Sequence, residues 1–306
     1  MIPIDRIEAA RAQVAPRVRR TPLVPIADGR AWLKLESFQP TGSFKVRGFY
    51  AAALALSPER LAKGLLTISA GNAAQGAAYV ARQLGVSCRT VMPANASEAK
   101  VEGVRRLGAT PVLLPRPEFL AWIAQRGWER ELETFVHPFT DENVIAGHGT
   151  LGLELLDDVP DLERVLVPVG GGGLIAGVGS AIKGKRPTVE VIGVQSDGYP
   201  LWPRVFAAGG PVPLVPDTIA DGTTAPYDPV MFDRLRAVVD RWIVVPEPRL
   251  RAAIPELALS AKVVAEGAGA LAYAALDRLP PGPVTVALVS GGNISRSLLA
   301  ELFSDG

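Results

Sequence analysis

The chain has 306 residues, enough for one large or two medium cores, and its 48% hydrophobic and 21% charged residues exclude a disordered or fibrous chain. Thirty-two basic against 31 acidic side chains leave a formal charge of +1 with no basic stripe, which excludes an ordinary nucleic-acid binder. One cysteine, Cys88, and two histidines, His137 and His148, exclude an internal disulfide and a zinc cluster.

The N-terminal segment reads as a helix, with Asp5 and Glu8 as a capping pair and Ile7, Ala10 and Val14 on one face. It has no basic region followed by an apolar one, so the expected location is cytoplasmic. Next comes Thr41-Gly42-Ser43-Phe44-Lys45-Val46-Arg47-Gly48. Gly42 permits a tight turn, Ser43 is a good N-cap, and residues 44–56 continue as an apolar helix with Lys45 in its first turn. The positive end of a helix lowers a lysine pKa and favours an amine nucleophile; the alternative is a surface lysine lying along a helix start.

From residue 60 onward, β-branched runs at 65–69, 88–92, 111–114, 164–169, 189–195, 242–245 and 284–289 alternate with helix-length segments. Those segments are 73–84, 97–107, 118–133, 174–182 and 294–303. The alternation calls for an α/β fold with parallel sheets covered on both faces. The uncharged stretch 165–182 has the length of a membrane span, but Pro168 and four consecutive glycines make it a buried strand, loop and helix, so no membrane partner is expected.

Three strands run into turns with chemical content. In Ser69-Ala70-Gly71-Asn72, backbone amides with the Ser69 hydroxyl and Asn72 amide suit a carboxylate or phenolic oxygen, although a plain strand-to-helix turn uses the same residue types. The run Gly170-Gly171-Gly172-Gly173 can wrap bare N–H groups around a phosphate. Gly171, Gly173 and Ala176 also satisfy the G-x-G-x-x-G/A dinucleotide pattern, with Glu190 near the acidic position. The loop is mid-chain, however, and Glu190 reads as the start of a strand, so a nicotinamide oxidoreductase ranks second. In Ser290-Gly291-Gly292-Asn293, Ser290 is either an N-cap or a hydroxyl aimed at a ring nitrogen.

Together, an activatable lysine, an oxygen-binding turn, a tetraglycine cup and a strand-end serine describe a site for pyridoxal 5′-phosphate. The chain resembles the fold-type II pyridoxal phosphate enzymes of the threonine/serine dehydratase and serine racemase group. The likeness runs from Arg19-Arg20-Thr21-Pro22-Leu23 through Lys34-Leu35-Glu36, the lysine motif, the SAGN turn, residues 147–150, the glycine cup, residues 218–222 and Glu266 to the SGGN turn. It implies a tryptophan synthase β-like fold with two three-layer α/β domains and mostly parallel sheets. Residues 1–50 and 141–306 would form the large cofactor-binding domain, and 51–140 a small mobile one. By the same resemblance Lys45 bonds the cofactor and later carries the Cα proton, with Phe44 and Glu266 beside it. Asn72 would bind the ring oxygen, Gly170, Gly171, Gly172 and Gly173 the phosphate, and Ser290 the pyridine nitrogen. Ser69, Ala70, Gly71, Asn72 and His148 would meet the substrate, and the protein would be a homodimer or homotetramer.

The implied activity is a dehydratase or ammonia-lyase acting on a β-hydroxy L-amino acid of the threonine or serine type, by α,β-elimination to a 2-oxo acid and ammonia. A serine at the ring nitrogen leaves the ring unprotonated and the carbanion short-lived, which favours prompt elimination. Ala70 stands where racemases of the group carry a second serine, so racemisation is disfavoured, and no basic cluster supports β-replacement of the threonine synthase kind. The E-P-x-x-A-x-D segment that binds Mg²⁺ or Ca²⁺ in relatives reads Gln195-Ser196-Asp197-Gly198-Tyr199-Pro200-Leu201 here, so no metal is expected. Ala73 replaces a usual histidine and His148 a usual glutamine, while Glu266-Gly267-Ala268-Gly269-Ala270 replaces E-P-x-G-A. His148 reads either as a helix-start histidine with a backbone partner or as a substrate contact. A chain ending at Gly306 leaves no room for a regulatory domain, so isoleucine is not expected to inhibit.

Overall fold

Apolar, largely β-branched runs become strands: β1 (Leu23–Ile26), β2 (Ala31–Leu35), β3 (Leu65–Ile68), β4 (Cys88–Pro93), β5 (Thr110–Leu114), β6 (Thr134–Phe135), β7 (Arg164–Pro168), β8 (Glu190–Ser196), β9 (Arg241–Val245) and β10 (Thr285–Val289). The structure, a computed structural model, describes residues 1–26 and 31–304. Six strands form one sheet in the order β1-β2-β10-β7-β8-β9, and four form a second in the order β5-β4-β3-β6. Every pairing is parallel except β1 with β2. All residues of β7 and β10 are buried, as strands covered on both faces should be. The α/β architecture with mostly parallel sheets is therefore the one read from the sequence, and the four-stranded sheet draws its strands wholly from residues 65–135.

The described helices are α1 (Ile4–Val14), α2 (Lys45–Leu54), α3 (Pro58–Ala62), α4 (Asn72–Leu84), α5 (Glu98–Arg106), α6 (Arg116–Ala124), α7 (Glu142–Asp158), α8 (Gly173–Lys185), α9 (Leu201–Ala208), α10 (Pro229–Arg236), α11 (Glu247–Glu256), α12 (Gly267–Ala274) and α13 (Arg296–Ser304). None is long and apolar enough to cross a membrane. Helices α7 and α8 pack unusually closely because glycines face each other: a Cβ on Gly177 would lie 2.3 Å from Ile145 O, and one on Gly152 2.8 Å from Val178 O. Next to them Arg47 of α2 is fully buried between Glu36 and Glu154, with Nε to Glu36 Oε2 at 2.7 Å and Nη1 to Glu154 Oε1 at 2.7 Å. Lys34 of β2 adds ion pairs to Glu154 and Asp158. This network fixes α2, which carries Lys45, against β2 and α7.

Several local expectations are corrected. Asp5 and Glu8 do not cap α1: the N-cap is Pro3, whose carbonyl accepts from Arg6 and Ile7 N–H, and Asp5 sits in the first turn where its charge suits the helix dipole. Ser43 does not cap α2; its backbone pairs with Gly291 in an isolated antiparallel bridge, and Phe44 takes the cap position. The helix read over 118–133 stops at Ala124, because Arg126 turns left-handed and the Trp122 indole folds onto Gly127, where a Cβ would lie 2.3 Å away. Trp128 then stacks on Phe135 with centroids 4.5 Å apart. The domain boundary set at 50/51 falls inside α2, which continues to Leu54, whereas the one at 140/141 falls at Asp141, the N-cap of α7.

Candidate active site

Parallel sheets present ligand sites beyond the carboxyl ends of their strands. Here the turns that follow β3, β7 and β10 converge with the start of α2 on one cavity of about 510 Å³. Phe44, Lys45, Ser69, Ala70, Gly71, Asn72, Gly170, Gly171, Gly172, Gly173, Glu266 and Ser290 all line it. Twelve of the thirteen residues singled out in the sequence therefore meet in one place, drawn from both sheets.

Lys45 is the first residue of α2, and its Nζ donates to Pro138 O at 3.0 Å. Burial pushes its ammonium down to about 8. Removal from water, rather than the helix terminus expected from the sequence, is the cause the structure supplies. Phe44 lies beside it, with Nζ 5.0 Å from the ring centroid. The turn that presents Lys45 is tied to the end of β10, since Phe44 N–H donates to Ser290 O at 3.1 Å.

Asn72 opens α4 with both ends of its amide fixed: Nδ2 donates to Glu266 Oε1 at 2.6 Å, and Oδ1 accepts from Asn293 Nδ2 at 2.7 Å. Glu266 is the N-cap of α12, and burial pushes its carboxyl up to about 7. The Ser69 hydroxyl accepts from Gly71 N–H at 3.0 Å, which shapes the turn. Ser290 Oγ is buried with one long contact, 3.5 Å to Ala268 O.

The glycine loop needs its composition. Gly172 has φ +90°, a Cβ on Gly171 would lie 2.5 Å from the Phe139 ring, and one on Gly173 would lie 2.8 Å from Phe139 O. Among the described residues, no protein acceptor pairs with the N–H of Gly170, Gly171 or Gly172.

His148 is the exception. It lies within α7 rather than at a helix start, is fully buried, and does not line the cavity. Neither ring nitrogen has a hydrogen-bond partner, and the ring meets Phe44 edge-on at 4.7 Å. It thus stands behind Phe44 and off the cavity wall, without the backbone partner that one reading of the sequence gave it. Burial, with the Lys45 and Arg47 charges nearby, holds it far below the usual imidazole range.

The cavity also has walls the sequence did not announce. Phe119 and Phe139 supply rings, and Lys100 of α5 pairs with Asp221 at 2.6 Å, joining the two sheets' sides of the cleft. Asn293 and Asp221 belong to motifs already quoted and could have been read from them; Lys100 sits in an ordinary amphipathic helix that gives no such signal. No group of three or more His, Cys, Asp or Glu residues that could hold a metal occurs among the described residues.

A family model described as pyridoxal-phosphate dependent enzyme matches residues 14–291. The L-threonine ammonia-lyase of Thermotoga maritima is 41% identical over 318 aligned positions, which cover 100% of this chain and 79% of that protein. Among solved structures, maize serine racemase superposes with a TM-score of 0.91 at 32% identity, covering 99% of this chain and 97% of that one. The T.th. threonine deaminase superposes with a TM-score of 0.86 at 39% identity, covering 96% of this chain and 99% of that one.

Proposed function

Because the chain belongs to the pyridoxal-phosphate dependent enzyme family, we propose that it is a lyase of the threonine dehydratase kind, converting a β-hydroxy L-amino acid to a 2-oxo acid and ammonia. The residues fit the cofactor. Free N–H groups in the glycine loop suit its phosphate, the under-used Ser290 hydroxyl suits its pyridine nitrogen, and the oriented Asn72 amide suits its ring oxygen. When bound, pyridoxal phosphate supplies an electron sink for the pair left on Cα.

The chain's own groups do the rest. Lys45, its ammonium pushed down to about 8 by burial, would bond the cofactor aldehyde with loss of water; displaced from it by the substrate amine, its freed Nζ would be placed to take the Cα proton. The amides at the start of α4, with Ser69, Gly71 and Asn72, hold the substrate carboxylate. Phe44, Phe119 and Phe139 keep water from the reacting atoms. Ala70 offers no proton donor on its side of the cavity, which sets a racemase below a dehydratase. The reading includes a mobile lobe at about residues 51–140, a homodimer or homotetramer, and a cytoplasmic location; the separate four-stranded sheet supports the first of these.

The observation that carries this function is Lys45 Nζ, buried and with its ammonium pushed down to about 8, sharing one cavity with a bare glycine loop. Purified protein should be yellow, with borohydride fixing the chromophore to Lys45. It should release 2-oxo acid from L-threonine or L-serine in a panel that includes allo-threonine, D-serine, 3-hydroxyaspartate and phenylserine. A colourless protein that binds NAD would overturn the reading.

A further inference from the structure

The glycine cup is held from behind by two side chains that do not line the cavity. Gln195, at the end of β8 and fully buried, donates from Nε2 to Val169 O at 2.8 Å and accepts at Oε1 from Trp202 N–H at 2.8 Å. Trp202, in the first turn of α9 and also fully buried, donates from Nε1 to Gly170 O at 2.6 Å. The carbonyls of Val169 and Gly170, the two that open the cup, are thus both engaged on the side away from the ligand.

In a planar trans peptide the carbonyl of one residue and the N–H of the next point in opposite directions. Anchoring Val169 O and Gly170 O therefore turns the N–H groups of Gly170 and Gly171 the other way, and these are groups for which the protein supplies no acceptor. The residue types match the task. A glutamine amide carries one donor end and one acceptor end, suited to one carbonyl and one unpaired helix N–H, whereas a carboxylate would set an acceptor against Val169 O.

We propose that Gln195 and Trp202 are positioning residues that aim the amides of the glycine cup at a phosphate group. The proposal rests on the reading of Gly170 to Gly173 as the phosphate site, and the test separates the two. The full-length apoprotein is titrated with pyridoxal phosphate and with pyridoxal, which lacks the phosphate, and the ratio of the two affinities is the readout. Trp202→Phe and Gln195→Met should each weaken pyridoxal phosphate binding by about tenfold, the scale of a lost hydrogen bond, and leave pyridoxal binding unchanged. Thermal unfolding of each apoprotein checks the fold; should Gln195→Met not fold, Trp202→Phe, which removes one N–H and little volume, decides alone. Equal losses for both ligands, or no loss for either, would overturn the positioning role. The phosphate-site reading itself fails if wild-type apoprotein binds both ligands equally, or if Gly171→Asp keeps full affinity for pyridoxal phosphate.

Discussion

Asn72 and Glu266 lie 194 positions apart and share a hydrogen bond of 2.6 Å, from Asn72 Nδ2 to Glu266 Oε1. It joins the first residue of α4, beside the four-stranded sheet, to the cap of α12 on the six-stranded sheet. Asn293 fixes the other end of the Asn72 amide, so its orientation is set before any ligand arrives.

Burial raises the Glu266 carboxyl from 4.5 to about 7, so the folded chain keeps a proton that the unfolded chain has lost. Its contribution to stability is full below about 4.5, declines as pH rises, and is gone above about 7, a span of about 3 kcal/mol. Glu266→Gln should remove this slope. Urea midpoints of the two apoproteins between pH 5 and pH 8 test it: the wild type should lose stability relative to the variant as pH rises, and parallel curves would refute the assignment.

Lys45 in the apoprotein should react with an amine-directed acylating reagent along a pH curve centred near 8. Exposed lysines should follow curves centred about two units higher. Peptide mapping after brief labelling reads this directly, and a Lys45 midpoint as high as that of surface lysines would contradict its burial.

Ala70→Ser places a hydroxyl on the cavity wall where wild type has a methyl. Racemisation of L-serine should rise by about a hundredfold or more, in the range a positioned acid/base group contributes, while 2-oxo acid release persists. Chiral chromatography of the remaining serine measures it, and unchanged D-serine formation would show that this wall does not face Cα.

Arg47→Met leaves Glu36 buried without its paired cation, and Glu154 with Lys34 alone, and should cost about 3–5 kcal/mol. Burial pushes Glu36 upward, but the Arg47 charge and hydrogen bonds prevail and hold it below the usual range. Its stabilisation is therefore present above the ordinary carboxylate pKa and lost as pH falls through the lowered one. Adding Glu36→Gln to Arg47→Met should recover part of the loss in denaturant midpoint; a further loss would show that Arg47 acts through packing alone.

The site was legible where its chemistry is local. Gly170 to Gly173, the turn around Asn72 and the lysine motif announce themselves because glycines and small polar residues at strand ends have few other uses. The α/β alternation was legible for the same reason, since periodicity belongs to each segment. Tertiary pairing was not. Strands β1 and β2 are short runs that include Pro25 and Lys34, which gives them a weak local strand signal, and β2 owes its place to β10 from the far end of the sequence. His148 shows the limit on the site: nothing around it in sequence distinguishes an imidazole facing substrate from one shut behind Phe44. Trp122 shows it on the fold, because an indole turning back onto Gly127 ends a helix that local propensity would have continued.

The pairing of β2 with β10 also sets an order of assembly. Leaving the ribosome, residues 65–135 emerge as one block, and their sheet can close with no help from later sequence. Ala31 of β2, already made, must wait for Thr285. During that interval β2 and β7 lack the strand that lies between them, which makes it the stage at which a chaperone matters most. Because Gly170 follows β7 and Ser290 follows β10, the cofactor cannot find its complete seat until this closing strand arrives.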